Sequence, residues 1–172
     1  MIFLDCLFFL FKIVCMKTVI PPGKEEILEK LRYFCAIQER SPRQLTEKLF
    51  RLQLTADKHP WFVQQLKEGG FINDKRFAFL FVRSKMNQNH WGCIKIRYEL
   101  LSHGIPAEII EEALKEIDEA DYLALITKLA KEKEKSIKDQ DPYIRKQKIL
   151  AFLSSKGFEP NLILDCLKLI KQ

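Results

Sequence analysis

Glycine and proline are scarce in this chain of 172 residues, at six and seven. Sheet-rich folds need such residues at closely spaced turns, so their scarcity argues against an all-β protein. Between them Leu, Ile, Lys and Glu return at three- and four-residue intervals, the period of an amphipathic helix. Apolar residues make up 47% and charged residues 30%, enough to build a core and keep the surface in water, which is not the composition of a disordered segment. The predicted fold class is all-α.

Paired cysteines are lacking as well. The five cysteines, at positions 6, 15, 35, 93 and 166, include no C-x-x-C pair, and His59, His90 and His103 stand at no zinc-ligand spacing. No metal site is expected, and the thiols read as buried and reduced, as in a cytosolic protein. A phosphate-cradling glycine loop is missing too. Glu108, Glu111, Glu112 and Glu116 include pairs four apart on one helix, but Ile109, Ile110, Ala113, Leu114 and Ile117 claim its buried side. Catalytic carboxylates need a pocket that perturbs them, so these four read as a solvated acidic face. No catalytic residue and no cofactor are expected, and the protein reads as non-enzymatic.

A long unbroken apolar span is also missing. Met1 to Cys15 is the most apolar stretch, yet Asp5 and Lys12 interrupt it, and it falls short of the roughly 20 apolar residues a spanning helix needs. It has neither the basic start nor the small-residue cleavage site of a secretory signal. Met16 opens an ordinary-looking start, MKTVIPPGKEEIL. Residues 1–15 are therefore expected to be an apolar leader outside the true protein, with 16–23 leading into the first helix and no membrane partner.

Charge is plentiful and segregated by sign, around a net +6. From Asp74 to Tyr98 the bases are Lys75, Arg76, Arg83, Lys85, Lys95 and Arg97, against Asp74 alone. From Pro106 to Asp121 seven acids face the single base Lys115. A bipolar molecule with separate basic and acidic faces is expected, suited to a partner that carries both signs, such as a protein coated on nucleic acid.

The chain also repeats itself. With Leu54, Ile105 and Phe158 as anchors, 51 and 53 residues apart, the flanking positions fall into register. Nine residues before each anchor stand Leu45, Ile96 and Ile149; five before stand Leu49, Leu100 and Leu153. Eight, nine and twelve residues after come Phe62, Val63 and Leu66, then Ala113, Leu114 and Ile117, then Cys166, Leu167 and Ile170. Each set is one face of a helix, with a turn at the anchor. Gly104 and Gly157 end the helix before the turn, and Pro106 and Pro160 start the next. Gln53 replaces the glycine in the first unit, whose loop should differ. A preceding helix completes each unit, at about Lys24–Glu39, Asp74–Met86 and Tyr122–Lys138. Three tandem three-helix repeats result, over 24–72, 73–120 and 121–172, forming an elongated, curved solenoid with a core shared between neighbours.

Between the first two units runs Gly69-Gly70-Phe71-Ile72-Asn73-Asp74-Lys75-Arg76-Phe77-Ala78. With Phe81-Val82-Arg83, Trp91-Gly92 and Leu100-Leu101-Ser102-His103-Gly104-Ile105, this junction and the threefold repeat resemble the RecX family over nearly all of residues 24–172. The junction carries fewer acids than is usual there, and the third unit is the most divergent. The resemblance implies a cytoplasmic regulator that binds RecA, lies along the groove of the RecA–DNA filament, and limits its extension, ATP hydrolysis and strand exchange; a monomer is expected.

Candidate contacts sit in the basic middle unit. Arg76 and Arg83, seven apart, share a face beside a Phe77/Leu80/Phe81 stripe; they meet acidic RecA loops or phosphates, or form a solvated flank, or, for Arg76, a structural pairing with Asp74. Lys85, Lys95 and Arg97 extend that segment. Trp91 either wedges the turn before Gly92 or stacks on a partner. Two other readings stay open: direct DNA binding by helix-turn-helix-like units, single- or double-stranded, and a helical adaptor for an unrelated protein.

Overall fold

The computed structural model describes residues 23–138 and 141–170, so the expected leader and the start at Met16 lie outside the described residues. Every regular element described is helical: α1 (Lys24–Ile37), α2 (Pro42–Arg51), a short 3-10 turn (Ala56–Lys58), α3 (His59–Glu68), α4 (Asp74–Asn89), α5 (Cys93–Ser102), α6 (Ala107–Lys115), α7 (Glu119–Ser136), α8 (Pro142–Lys156) and α9 (Pro160–Ile170). They fall into three successive three-helix units.

Short polar side chains start these helices. Ser41 and Gln44 form a reciprocal capping box at α2, while Asn73, Asp118 and Asp141 accept the first free N–H groups of α4, α7 and α8. Each such cap is worth about 1 kcal/mol. Gly104 and Gly157 end α5 and α8 at φ 80° and 88°, and Gln53 takes the same left-handed turn at φ 59°. The first unit differs instead beyond its anchor, where the 3-10 turn delays α3 until His59. Pro160 opens α9 as expected; Pro106 stands one residue before α6, as its cap.

The repeat places the core. Leu45, Ile96, Ile149, Leu49, Leu100 and Leu153 are all buried, as are Phe62, Ala113 and Cys166 after the turn. The expectation of a continuous shared core is corrected: the buried residues form three separate clusters, one per unit. Among the described residues, only Met86, Cys93 and Ile117 pack against both the second and the third. The three helices of a unit close their own small core because each presents an apolar stripe to two neighbours in the same unit.

Adjacent units are joined in the same way twice. At the first joint, Arg43 in the first turn of α2 donates its N–H to the carbonyl of His103, at the end of α5, at 3.3 Å. At the second, Gly92 and Ile94 at the start of α5 donate to the carbonyls of Lys156 and Gly157, at the end of α8, at 2.9 and 3.1 Å. Free N–H groups at one helix start thus meet free carbonyls at the next unit's helix end, which satisfies both. Ser41 and Gly92, the two caps at these joints, both stand thirteen residues before their anchors.

Candidate partner-binding face

The middle unit carries all six candidate side chains, and the fold separates them. Helix α4 begins where the Asn73 side chain accepts the Arg76 N–H at 2.9 Å, and ends at His90, in a left-handed conformation. Phe77, Ala78 and Val82 face the core. Leu80, placed by sequence in the apolar stripe, is 49% exposed, because the core lies on the Ala78/Val82 side. Arg76, Leu80 and Arg83, at successive turns, form an outward ridge of α4.

Arg76 clasps two units together. It pairs with Glu39, just past the end of α1, and donates to the carbonyl of Gly70 at 3.2 Å. The expected pairing with Asp74 is corrected, since Asp74 is held by Lys67 at 3.4 Å. Arg83, two turns on, is exposed and has no ion pair among the described residues.

Lys85, Trp91 and Lys95 come together at the turn between α4 and α5. The ammonium groups of Lys85 and Lys95 lie 5.1 and 4.6 Å from the centre of the Trp91 ring, and Lys85 also lies 5.3 Å from that of Phe81. Trp91 is half-buried against the core of the middle unit. It therefore wedges the turn and also gathers two cations into one patch.

Arg97 points elsewhere, making a two-bond fork to Glu111 at 2.7 and 3.0 Å. That fork lowers the carboxyl pKa of Glu111 and raises that of the guanidinium. Lys75 pairs with Glu112 in the same way across α4 and α6. The expected split into separate basic and acidic faces is thus corrected. Packing of α6 against α4 and α5 folds two of the seven acids, Glu111 and Glu112, onto the basic run, and Arg83, Lys85 and Lys95 remain as that run's cations outside ion pairs.

Several residues escaped the sequence reading. His103, read as solitary, sits inside the first joint with its Nδ1 3.0 Å from the Ser41 hydroxyl and its ring edge-on to Phe77 and Phe81. Desolvation is the main cause that lowers its pKa, opposed by Glu99. Helix α5 is apolar on both sides: Ile96 and Leu100 face in, while Ile94, Tyr98 and Leu101 are 45%, 72% and 50% exposed. The double apolar pattern of CIKIRYELLS was the signal available. Cys35 and Cys93 carry thiols whose pKa is raised by burial, and no disulfide or cluster of three metal-ligating side chains occurs among the described residues.

Comparison with known proteins bears on this geometry. The family profiles of the RecX second and third three-helix domains match residues 73–114 and 119–167. Proteins named regulatory protein RecX are similar to the chain. That of Pelodictyon phaeoclathratiforme is 31% identical over 78% of this chain and 82% of its own length. That of Chlorobium phaeobacteroides is 33% identical over 76% and 83%. That of Clostridium botulinum is 32% identical over 75% of this chain but only 61% of its own length. The crystal structure of RecX from Lactobacillus salivarius shares the fold, with a TM-score of 0.75 at 24% identity over 84% of this chain and 94% of that one.

Proposed function

Since the chain belongs to the RecX family of regulatory proteins, we propose that it binds the RecA–DNA filament and inhibits its extension, ATP hydrolysis and recombination activity. The observation that carries the reading is the patch of Lys85 and Lys95 on the Trp91 ring, with Arg83 exposed on another side of the helix that carries Lys85. Of the six bases between Asp74 and Tyr98, these three lie outside internal ion pairs and are left for a partner. Arg76 and Arg97 act behind them, as fasteners of the fold. The protein works in the cytoplasm as a monomer, by occupying sites on the filament and without chemistry of its own. No helix among the described residues is long and apolar enough to cross a membrane.

A second reading is favoured by the same patch: lysines around a half-buried tryptophan also suit phosphates and a stacked base, as in direct DNA binding. Co-sedimentation with RecA-coated single-stranded DNA, beside naked DNA at low and moderate salt, separates the two. Filament regulation predicts retention on the coated strand at moderate salt, weakened by Lys85→Ala/Lys95→Ala. Equal binding to naked DNA with a steep loss on adding salt would replace it with the DNA-binding reading.

A further inference from the structure

A groove between α4 and the start of α7 takes no part in the patch just described. It encloses about 430 Å3. Its floor is apolar, built from Val82, Met86, Ala113 and Ile117, with the ridge residue Leu80 at its edge, and its rim carries Glu116, Asp118 and Asp121 with Arg83. Glu111 and Glu112, one turn earlier, are paired to Arg97 and Lys75. The three rim carboxylates have no ion-pair partner among the described residues.

The sibling unit shows that the fold does not require this acidity. Eleven and thirteen residues after its anchor, where the middle unit has Glu116 and Asp118, the first unit has Gln65 and Lys67. Asp118 and Asp121 at least serve α7, Asp118 as its cap and Asp121 within its first turn. Glu116 serves no helix; it stands at the C-terminal end of α6, where a carboxylate meets the negative end of the dipole. Its position is unfavourable for folding and favourable for a cationic ligand.

We propose that this groove docks a basic amphipathic segment of a protein partner, an apolar side chain entering over Leu80 and Met86 while flanking Lys or Arg side chains meet Glu116 and Asp121. The rim's sign excludes a phosphate backbone, and the apolar floor fits the helix-in-groove mode of recognition. The inference rests on the filament reading only in taking the RecA coat, and not the DNA, as that partner.

Two arms test it. In the first, methyl NMR of the full chain is titrated with a synthetic Leu/Lys amphipathic helix and with its Leu/Glu counterpart. The expected result is shifts at the Met86 and Ile117 methyls with the basic peptide alone, and affinity reduced roughly tenfold or more in Glu116→Lys. Glu116→Lys places a cation at a helix C-terminus and should fold at least as well as the parent. Equal response to both peptides, or no loss in Glu116→Lys, overturns the groove. In the second arm, Glu116→Lys is expected to weaken binding to RecA-coated DNA while leaving naked-DNA binding unreduced. Peptide binding at the groove with no filament binding by the parent protein would leave the groove standing and remove the filament reading. Filament binding unchanged by the substitution would overturn RecA as the groove's partner.

Discussion

At the joint between the second and third units, the backbones of Gly92 and Gly157 come so close that a Cβ on Gly92 would stand 2.3 Å from the Gly157 carbonyl oxygen. At the joint between the first and second units, the corresponding glycine, Gly104, has only the Pro42 side chain near, at 3.7 Å. The second joint also shares Met86, Cys93 and Ile117 between two cores and buries Tyr122, whose hydroxyl accepts the Cys93 N–H at 2.9 Å and donates to Glu159 at 2.7 Å. The first joint rests on polar contacts, Ser41 with His103 and Arg76 with Glu39. One plan of helix start on helix end is thus realised once as a packed joint and once as a hydrogen-bonded one. Packed joints resist solvent conditions, whereas polar joints respond to pH and salt.

The comparison breaks most sharply at its glycines. Gly157→Ala adds a Cβ 2.3 Å from that of Lys95 and also forces a side chain into φ 88°. Overpacking of about 1–3 kcal/mol then adds to a left-handed penalty of about 1–2 kcal/mol. Gly104→Ala carries the backbone penalty alone. Denaturant unfolding should therefore place Gly157→Ala lower by about 1–3 kcal/mol; equal losses would mean the joints are packed alike.

Tyr122→Phe comes next. Removing the hydroxyl leaves the Cys93 N–H and the Glu159 carboxylate without that partner, at a cost of about 1–2 kcal/mol. Hydrogen exchange should speed up at the start of α5, with α2 unaffected. Unchanged exchange at Cys93 would show that the hydroxyl does not hold the joint.

Acidification gives the smallest effect and falls on the other joint. With desolvation holding the folded-state pKa of His103 below its ordinary 6.5, its contribution to stability is full above that value and lost as pH falls through it. The Ser41 hydroxyl, 3.0 Å from Nδ1, can donate to a neutral ring and accept from a protonated one; the pH sensitivity comes from placing charge on a desolvated ring. The melting midpoint should fall as the pH drops below about 6.5, by a margin that His103→Gln abolishes. An identical fall in that variant would move the titration to another group.

Much of the fold was legible because it rests on local periodicity. Leu45, Ile96 and Ile149 could be aligned by counting, and Gly104 and Gly157 by the turn chemistry of helix ends. The joints were not legible, because their partners are distant in sequence. Glu39 meets Arg76 only after the first and second units have come together, and nothing local distinguishes Gly92, at an unexceptional φ of −82°, from a glycine of convenience. The candidate site was half legible. The clustering of basic residues located the middle unit, but which cations stay outside ion pairs depended on α6 folding back with Glu111 and Glu112. Leu80 misled for a related reason, since a helix with apolar residues over more than half its circumference does not declare which side is the core.

The central claim, regulation of the RecA filament through the middle unit, is tested most directly by single-strand-dependent ATP hydrolysis of the cognate RecA, titrated with this protein and with Arg83→Ala/Lys85→Ala/Lys95→Ala. The account predicts inhibition by the parent protein, greatly weakened in the variant at unchanged fold. An undiminished rate at saturating parent protein, or inhibition equal in the two, would contradict it.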